Sequence, residues 1–179
     1  VLKDGSCGSI GYGIATAYAK EGANLVITGR NKQKLADAKE ELERLYNIEV
    51  LPVQADVSAG ADNETVVRNV IDETIAKFGR IDVLINNAQA SASGVAANEW
   101  GPDGINANII CPLAWTAQLE NFQQAYPEAF EANVKMPPAG HYGDVEKEIG
   151  RVCVQLASPD FKYMNGETLT LEGGMGLRP

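Results

Sequence analysis

The run Gly5-Ser6-Cys7-Gly8-Ser9-Ile10-Gly11-Tyr12-Gly13 is the first place where residue type and spacing could do chemistry. Small residues let a backbone approach a pyrophosphate closely. A helix directly behind them adds N–H groups and the positive end of its dipole. The Ala-rich pattern from Ile14 to Glu21 supplies that helix, and Gly22 stops it. A flexible Gly/Ser turn is the competing reading. Only Val1-Leu2-Lys3-Asp4 precedes the loop, where an apolar strand should stand. The second place is Thr28-Gly29-Arg30-Asn31, followed by Lys32 and Lys34. An acidic side chain at such a strand end holds a ribose 2′-hydroxyl, whereas an arginine accepts a 2′-phosphate. Arg30 offers a planar, many-donor fork suited to phosphate. Arg30 and Asn31 thus point to NADP, with NAD less favoured. The alternative is a solvated arginine opening a helix.

The elements that must position these residues follow from periodicity. Leu25 to Thr28 reads as a short buried strand. Leu35, Ala38, Leu42 and Leu45, at spacings of three and four, mark one face of an amphipathic helix. Val50 to Ala55 is a strand that leads into Asp56. Val66, Val67, Val70, Ile71, Ile75 and Phe78 mark a further helix, closed by Gly79. Ile81 to Ile85 and Ile105 to Ile110 read as strands, as does Thr168 to Leu171 before Gly173-Gly174. Asp144 is an expected N-cap for a helix carrying Ile149, Val152, Cys153 and Leu156. Strands alternating with helices imply parallel β-α-β units. The expected fold is α/β: a Rossmann-type, doubly wound parallel sheet in a single domain, residues 1–179. Ligands of such sheets sit at the carboxyl ends of the strands, and each loop singled out here follows a strand.

Composition narrows the classes. The 179 residues, 45% hydrophobic and 22% charged, suit one soluble globular domain. No apolar run approaches the ~18 residues of a membrane span. The start does not resemble a secretory signal, and Cys7, Cys111 and Cys153 form no disulfide framework, so a cytoplasmic location is expected. A net charge of −9 argues against nucleic acid and anionic lipid as partners. Cys7 reads as a turn residue, Cys111 and Cys153 as core. His141 is the one histidine, in a turn-rich stretch, and reads as a loop residue rather than a metal ligand.

Three further pieces join the glycine loop: Asp56-Val57 and Asn86-Asn87-Ala88 at strand ends, and Pro112-Leu113-Ala114-Trp115-Thr116 after a later strand. In this order, and with Gly173-Gly174 at the end, the set resembles the short-chain dehydrogenase/reductase family over nearly the whole chain. The resemblance implies that Gly5, Ser9, Ile10 and Gly11 line the pyrophosphate and nicotinamide ribose. It places Asp56 on the adenine amino group with Val57 beside the ring, and Asn87 and Ala88 along the adenosine ribose. The backbone from Pro112 through Leu113 to Thr116 would meet the nicotinamide carboxamide. Three positions depart from the family's usual glycine: Ser9, Gln89 and Leu113. The segments 9–15, 86–94, 111–114 and 169–176 are similar to bacterial bile-acid hydroxysteroid dehydrogenases, especially those acting at the 12α-hydroxyl. That similarity implies a steroid alcohol/ketone pair as substrate and a homo-tetramer or dimer. Residues 115–126 would form a lid, with Trp115, Leu119 and Phe122 as an apolar wall and Gln89 and Gln118 near the substrate. Ordinary helix packing is an equal reading for Leu119 and Phe122. A reductase of 3-oxoacyl thioesters on acyl carrier protein is the alternative substrate class. A non-catalytic dinucleotide sensor is the alternative from another class.

The family's proton transfer needs a tyrosine, a lysine four residues later and an upstream serine. The residues four after Tyr12, Tyr18, Tyr46, Tyr126, Tyr142 and Tyr163 are Thr16, Gly22, Val50, Phe130, Glu146 and Glu167. None is lysine, so no residue here is assigned a catalytic role. Ala92 to Val95 resembles the start of a loop, and Ala96 to Trp100 the end of the lysine-bearing helix. Roughly seventy residues should lie between them in a whole fold of this type. A smaller gap is expected near Asp4-Gly5. The natural polypeptide should therefore weigh about 27 kDa. An intact mass at the 19.1 kDa of this sequence would contradict that.

Overall fold

A computed structural model of the chain describes residues 9–56, 63–86 and 93–176. The described residues form two compact units: 18–56 with 63–86, and 9–17 with 93–176. Gly5, Val57, Asn87, Ala88, Gln89 and Cys7 lie outside the described residues, as does the start of the expected first strand.

The first unit is a β-α-β crossover. Strand β1 (Leu25–Gly29) pairs in parallel with β2 (Val50–Gln54), Leu25 opposite Val50 and Gly29 opposite Gln54. Helix α2 (Lys32–Tyr46) joins them. The Asn31 side chain accepts the Lys34 N–H at 3.0 Å, a satisfied N-cap. Asn47 ends the helix at φ 52°, a left-handed position that asparagine tolerates. Leu35, Ala38 and Leu42 are buried as the spacing predicts; Leu45, in the last turn, is instead 48% exposed. Lys39 Nζ bonds Glu43 at 2.5 Å and the Val50 carbonyl at 2.8 Å, and Glu43 accepts the Val50 N–H at 2.9 Å. That knot ties α2 to the start of β2. The Lys39 bond, and then the Val50 N–H, hold the Glu43 carboxyl below the usual carboxylate range. Pro52 cannot donate to a ladder, which suits β2's place at an edge.

Helix α3 (Asn63–Phe78) ends at Gly79, φ 76°, as expected. Its Val67, Ile71 and Ile75 are nevertheless exposed. The expected strand at Ile81–Ile85 does not form, and Ile81, Val83, Leu84 and Ile85 are exposed. In a doubly wound order of 3-2-1-4-5-6 this segment would be strand four, between strands one and five. Neither of those expected neighbours is among the described residues. Helix α4 (Ser93–Trp100) is the next described element. Strand structure is a property of pairs, and no pair is offered.

The second unit holds β3 (Ile109–Pro112) and β4 (Thr168–Leu171), also parallel, Ile109 opposite Thr168. The expected strand from Ile105 starts four residues late. Residues 106–108 instead enter an asparagine network: Asn106 and Asn108 donate to the Met164 carbonyl at 2.9 Å, and Asn165 accepts the Ala107 N–H at 2.8 Å. Cys111 is exposed rather than core, whereas Cys153 is buried and its thiol is pushed up to about 11 by desolvation. Helix α1 (Ile10–Lys20) begins four residues earlier than its apolar pattern, because the Ser9 hydroxyl accepts the Tyr12 N–H at 3.2 Å. Its first half packs on a π-helical turn (Val145–Gly150) that Asp144 caps, ahead of helix α7 (Arg151–Leu156). The crossing needs glycine. A Cβ at Gly150 would lie 2.7 Å from the Gly13 carbonyl and 2.9 Å from the Ala17 methyl. Gly150→Ala should cost about 1–3 kcal/mol, read as a lowered thermal midpoint. An unchanged midpoint would refute this packing.

Candidate functional site

Parallel pairing brings loops from successive strands to one edge, and in each unit the predicted residues stand there. In the first unit, Ala55 N–H donates to the Gly29 carbonyl at 3.0 Å and the Gln54 side chain to the Arg30 carbonyl at 3.0 Å. The ends of β1 and β2 therefore adjoin, with Arg30 and Asn31 leaving one and Asp56 leaving the other. Arg30 is exposed, and its guanidinium has no hydrogen bond or ion pair among the described residues. The Asn31 oxygen is committed to the helix cap, which leaves its amide nitrogen for a ligand. No carboxylate stands between Gly29 and Lys34 to repel a phosphate.

In the second unit, Ile10 and Gly11 occupy the first turn of α1, both half-buried. Ser9 turns its hydroxyl inward as a cap. The loop Pro112–Thr116 leaves β3 under tight control. Leu113 N–H donates to Leu171 at 2.9 Å, and its carbonyl accepts the Gly143 N–H at 3.1 Å. Trp115 N–H donates to the Gly143 carbonyl at 2.9 Å, so Ala114 and Gly143 form a parallel bridge. Leu113 and Trp115 thus use their N–H groups within the fold, and the remaining N–H groups of the loop are those of Ala114 and Thr116. The Thr116 hydroxyl caps helix α5 (Ala117–Ala125), accepting the Leu119 N–H at 3.2 Å. Helix α6 (Pro127–Asn133) follows.

The Trp115 ring sits edge-on to Phe130 at 6.1 Å and to Tyr142 at 6.0 Å, while Phe122 packs on Phe130 and Tyr126. Trp115 is half-buried, so it anchors α6 while keeping part of its surface exposed. Gln118 lies exposed on α5. Gly143, Tyr142 and Phe130 are site neighbours that sequence reasoning passed over. The Gly143-Asp144 pair, a turn residue before an N-cap, was the available signal. Just before that pair, His141 meets Glu148 at 2.9 Å. The bond to Glu148, and next that to the Ala139 carbonyl, raise the imidazole above its ordinary range. The Asp144 N–H, and then His141, hold Glu148 low.

Residues 1–99 match the short chain dehydrogenase family, and residues 88–176 the family described as enoyl-(acyl carrier protein) reductase. A 12alpha-hydroxysteroid dehydrogenase from Clostridium sp. is 50% identical over 245 positions, covering 98% of this chain and 95% of that protein. That match is at least 66 positions longer than the 179 residues of this chain. L-sorbose reductase from Gluconobacter frateurii, complexed with NADPH and L-sorbose, superposes with a TM-score of 0.82 at 20% identity, covering 98% of this chain and 95% of that one. An NADPH-dependent reductase involved in bacilysin biosynthesis does so with a TM-score of 0.82 at 18% identity, covering 98% and 97%. These likenesses bear out the expected Rossmann-type fold.

Proposed function

The chain belongs to the short-chain dehydrogenase family of oxidoreductases, and we propose that it interconverts a steroid secondary alcohol and its ketone with NADP, acting on the 12α-hydroxyl of a bile acid. The observation that carries the cofactor choice is Arg30, whose unpartnered guanidinium stands at a strand end adjoining that of Asp56. A 2′-phosphate fits that fork, and the absence of a carboxylate from 29 to 34 removes the competing ribose contact. The NADPH named with the sorbose reductase and the bacilysin enzyme supports the same choice. The 50% identity to a 12alpha-hydroxysteroid dehydrogenase supports the steroid over an acyl thioester.

When bound, the dinucleotide supplies or accepts the hydride. The chain's own residues bind and orient it. Arg30 and Asn31 hold the adenosine phosphate, and Asp56 accepts the adenine amino group. The first turn of α1, with Ile10 and Gly11, offers N–H groups to the pyrophosphate. Ala114 and Thr116 offer theirs to the carboxamide. Helices α5 and α6, anchored through Trp115, shield the reacting face, with Gln118 toward the substrate; water exclusion is the usual gain from such a cover. The clostridial match has 66 or more positions in all that this sequence lacks. We place most of them near 95/96, where the two family matches overlap at residues 88–99, and the smaller part near 4/5, and assign the proton-transferring serine, tyrosine and lysine to the larger stretch. The domain thus completed is a single one, working as a tetramer or dimer in the cytoplasm.

The test follows NADP reduction spectroscopically against a panel of bile acids with the full-length protein. Turnover is expected with 12α-hydroxyl substrates. Arg30→Ala should raise KM for NADP about ten- to hundredfold, the worth of a charged hydrogen bond, and leave KM for NAD nearly unchanged. Activity only on acyl thioesters, or equal losses for both nucleotides, would contradict the proposal.

A further inference from the structure

His141 closes the turn that steadies the loop after β3. Its Nδ1 faces the Ala139 carbonyl at 3.3 Å, and its Nε2 faces the two Glu148 oxygens at 2.9 and 3.1 Å. Both neighbours are acceptors. A neutral imidazole carries one N–H and would set a lone pair against one of them, whereas the imidazolium donates on both sides. Glu148 also accepts the Asp144 N–H at 2.8 Å. One carboxylate therefore grips the chain on either side of Gly143. Gly143 in turn holds Leu113 and Trp115 through its own N–H and carbonyl.

We propose that His141 is a positioning residue: its imidazolium, clasped by Glu148, holds Gly143 against Leu113–Trp115 and so fixes the backbone that receives the nicotinamide. The inference rests on the dinucleotide reading given above. The charged groups that bear on the clasp are His141, Glu148 and Asp144. The Asp144 carboxylate is turned to the Glu146 and Lys147 N–H groups at 2.9 and 2.7 Å. Because the folded imidazole titrates above its ordinary value, both bonds are made together below that value for as long as Glu148 stays ionised. As pH rises through that raised value the ring keeps one N–H and loses its charge and one of the two bonds, so the clasp weakens. Both side chains are about half exposed, so the effect is small.

Kinetics of the full-length protein on either side of neutrality test the role. In the wild type, KM for NADP should rise with pH through the His141 titration by a factor on the order of two to five, beyond any change in kcat. His141→Gln should show the high KM at every pH. His141→Arg, which keeps a cation beside Glu148, should keep the low KM throughout. Superimposable pH profiles for the wild type and His141→Gln would overturn the proposal. The imidazole titration followed by NMR needs no dinucleotide. Its midpoint should lie above that of an ordinary histidine and fall back in Glu148→Gln; equal midpoints would also overturn it. No binding of either pyridine nucleotide, with the NMR difference intact, would instead overturn the dinucleotide reading on which the role depends.

Discussion

Parallel pairing in register is the constraint from which the site follows. With Gly29 opposite Gln54, the next residues of both strands must leave the sheet side by side. That alone sets Arg30 and Asn31 next to the approach to Asp56. With Pro112 opposite Leu171, the Leu113 N–H continues the ladder by one bond before the chain turns away. A slip of one residue in either pair would turn its side chains to the opposite face. It would also shift the loop by a strand step.

Beyond the ladders, backbone polar groups near the site are satisfied by short, local devices. Ser9, Asn31, Thr116 and Asp144 each cap the helical segment that follows. Caps of this kind contribute about 1 kcal/mol apiece. The Gly143 bridge does the equivalent for the loop after β3. Two N–H groups that the fold leaves open there, those of Ala114 and Thr116, are flanked by two that it uses. A loop with such alternation presents its donors in a fixed direction.

Much of the fold was legible because it is local. The apolar spacing of α2, the glycines after α1 and α3, and the Asp144 cap each depend on residues within a turn or two. The placement of Arg30 and Asn31 was legible for the same reason, since both follow a strand that periodicity defines. The departures all involve distant partners. Ile81–Ile85 has the composition of a strand, but a strand requires neighbours in the sheet, and none of its expected neighbours is among the described residues. Residues 105–108 are apolar and asparagine-rich by turns; the bonds to 162–167 that claim them span more than fifty residues. The Trp115–Phe130–Tyr142 cluster and the His141–Glu148 clasp join side chains seven to fifteen or more positions apart across turns. Periodicity carries no signal for such contacts.

Calorimetric titration of the full-length protein with the two oxidised pyridine nucleotides tests the central claim most directly. One saturable site per chain, at least ten times tighter for the 2′-phosphorylated nucleotide, is the predicted outcome; a tenfold ratio corresponds to ~1.4 kcal/mol. No detectable heat with either nucleotide would contradict the account, and so would equal affinity for both.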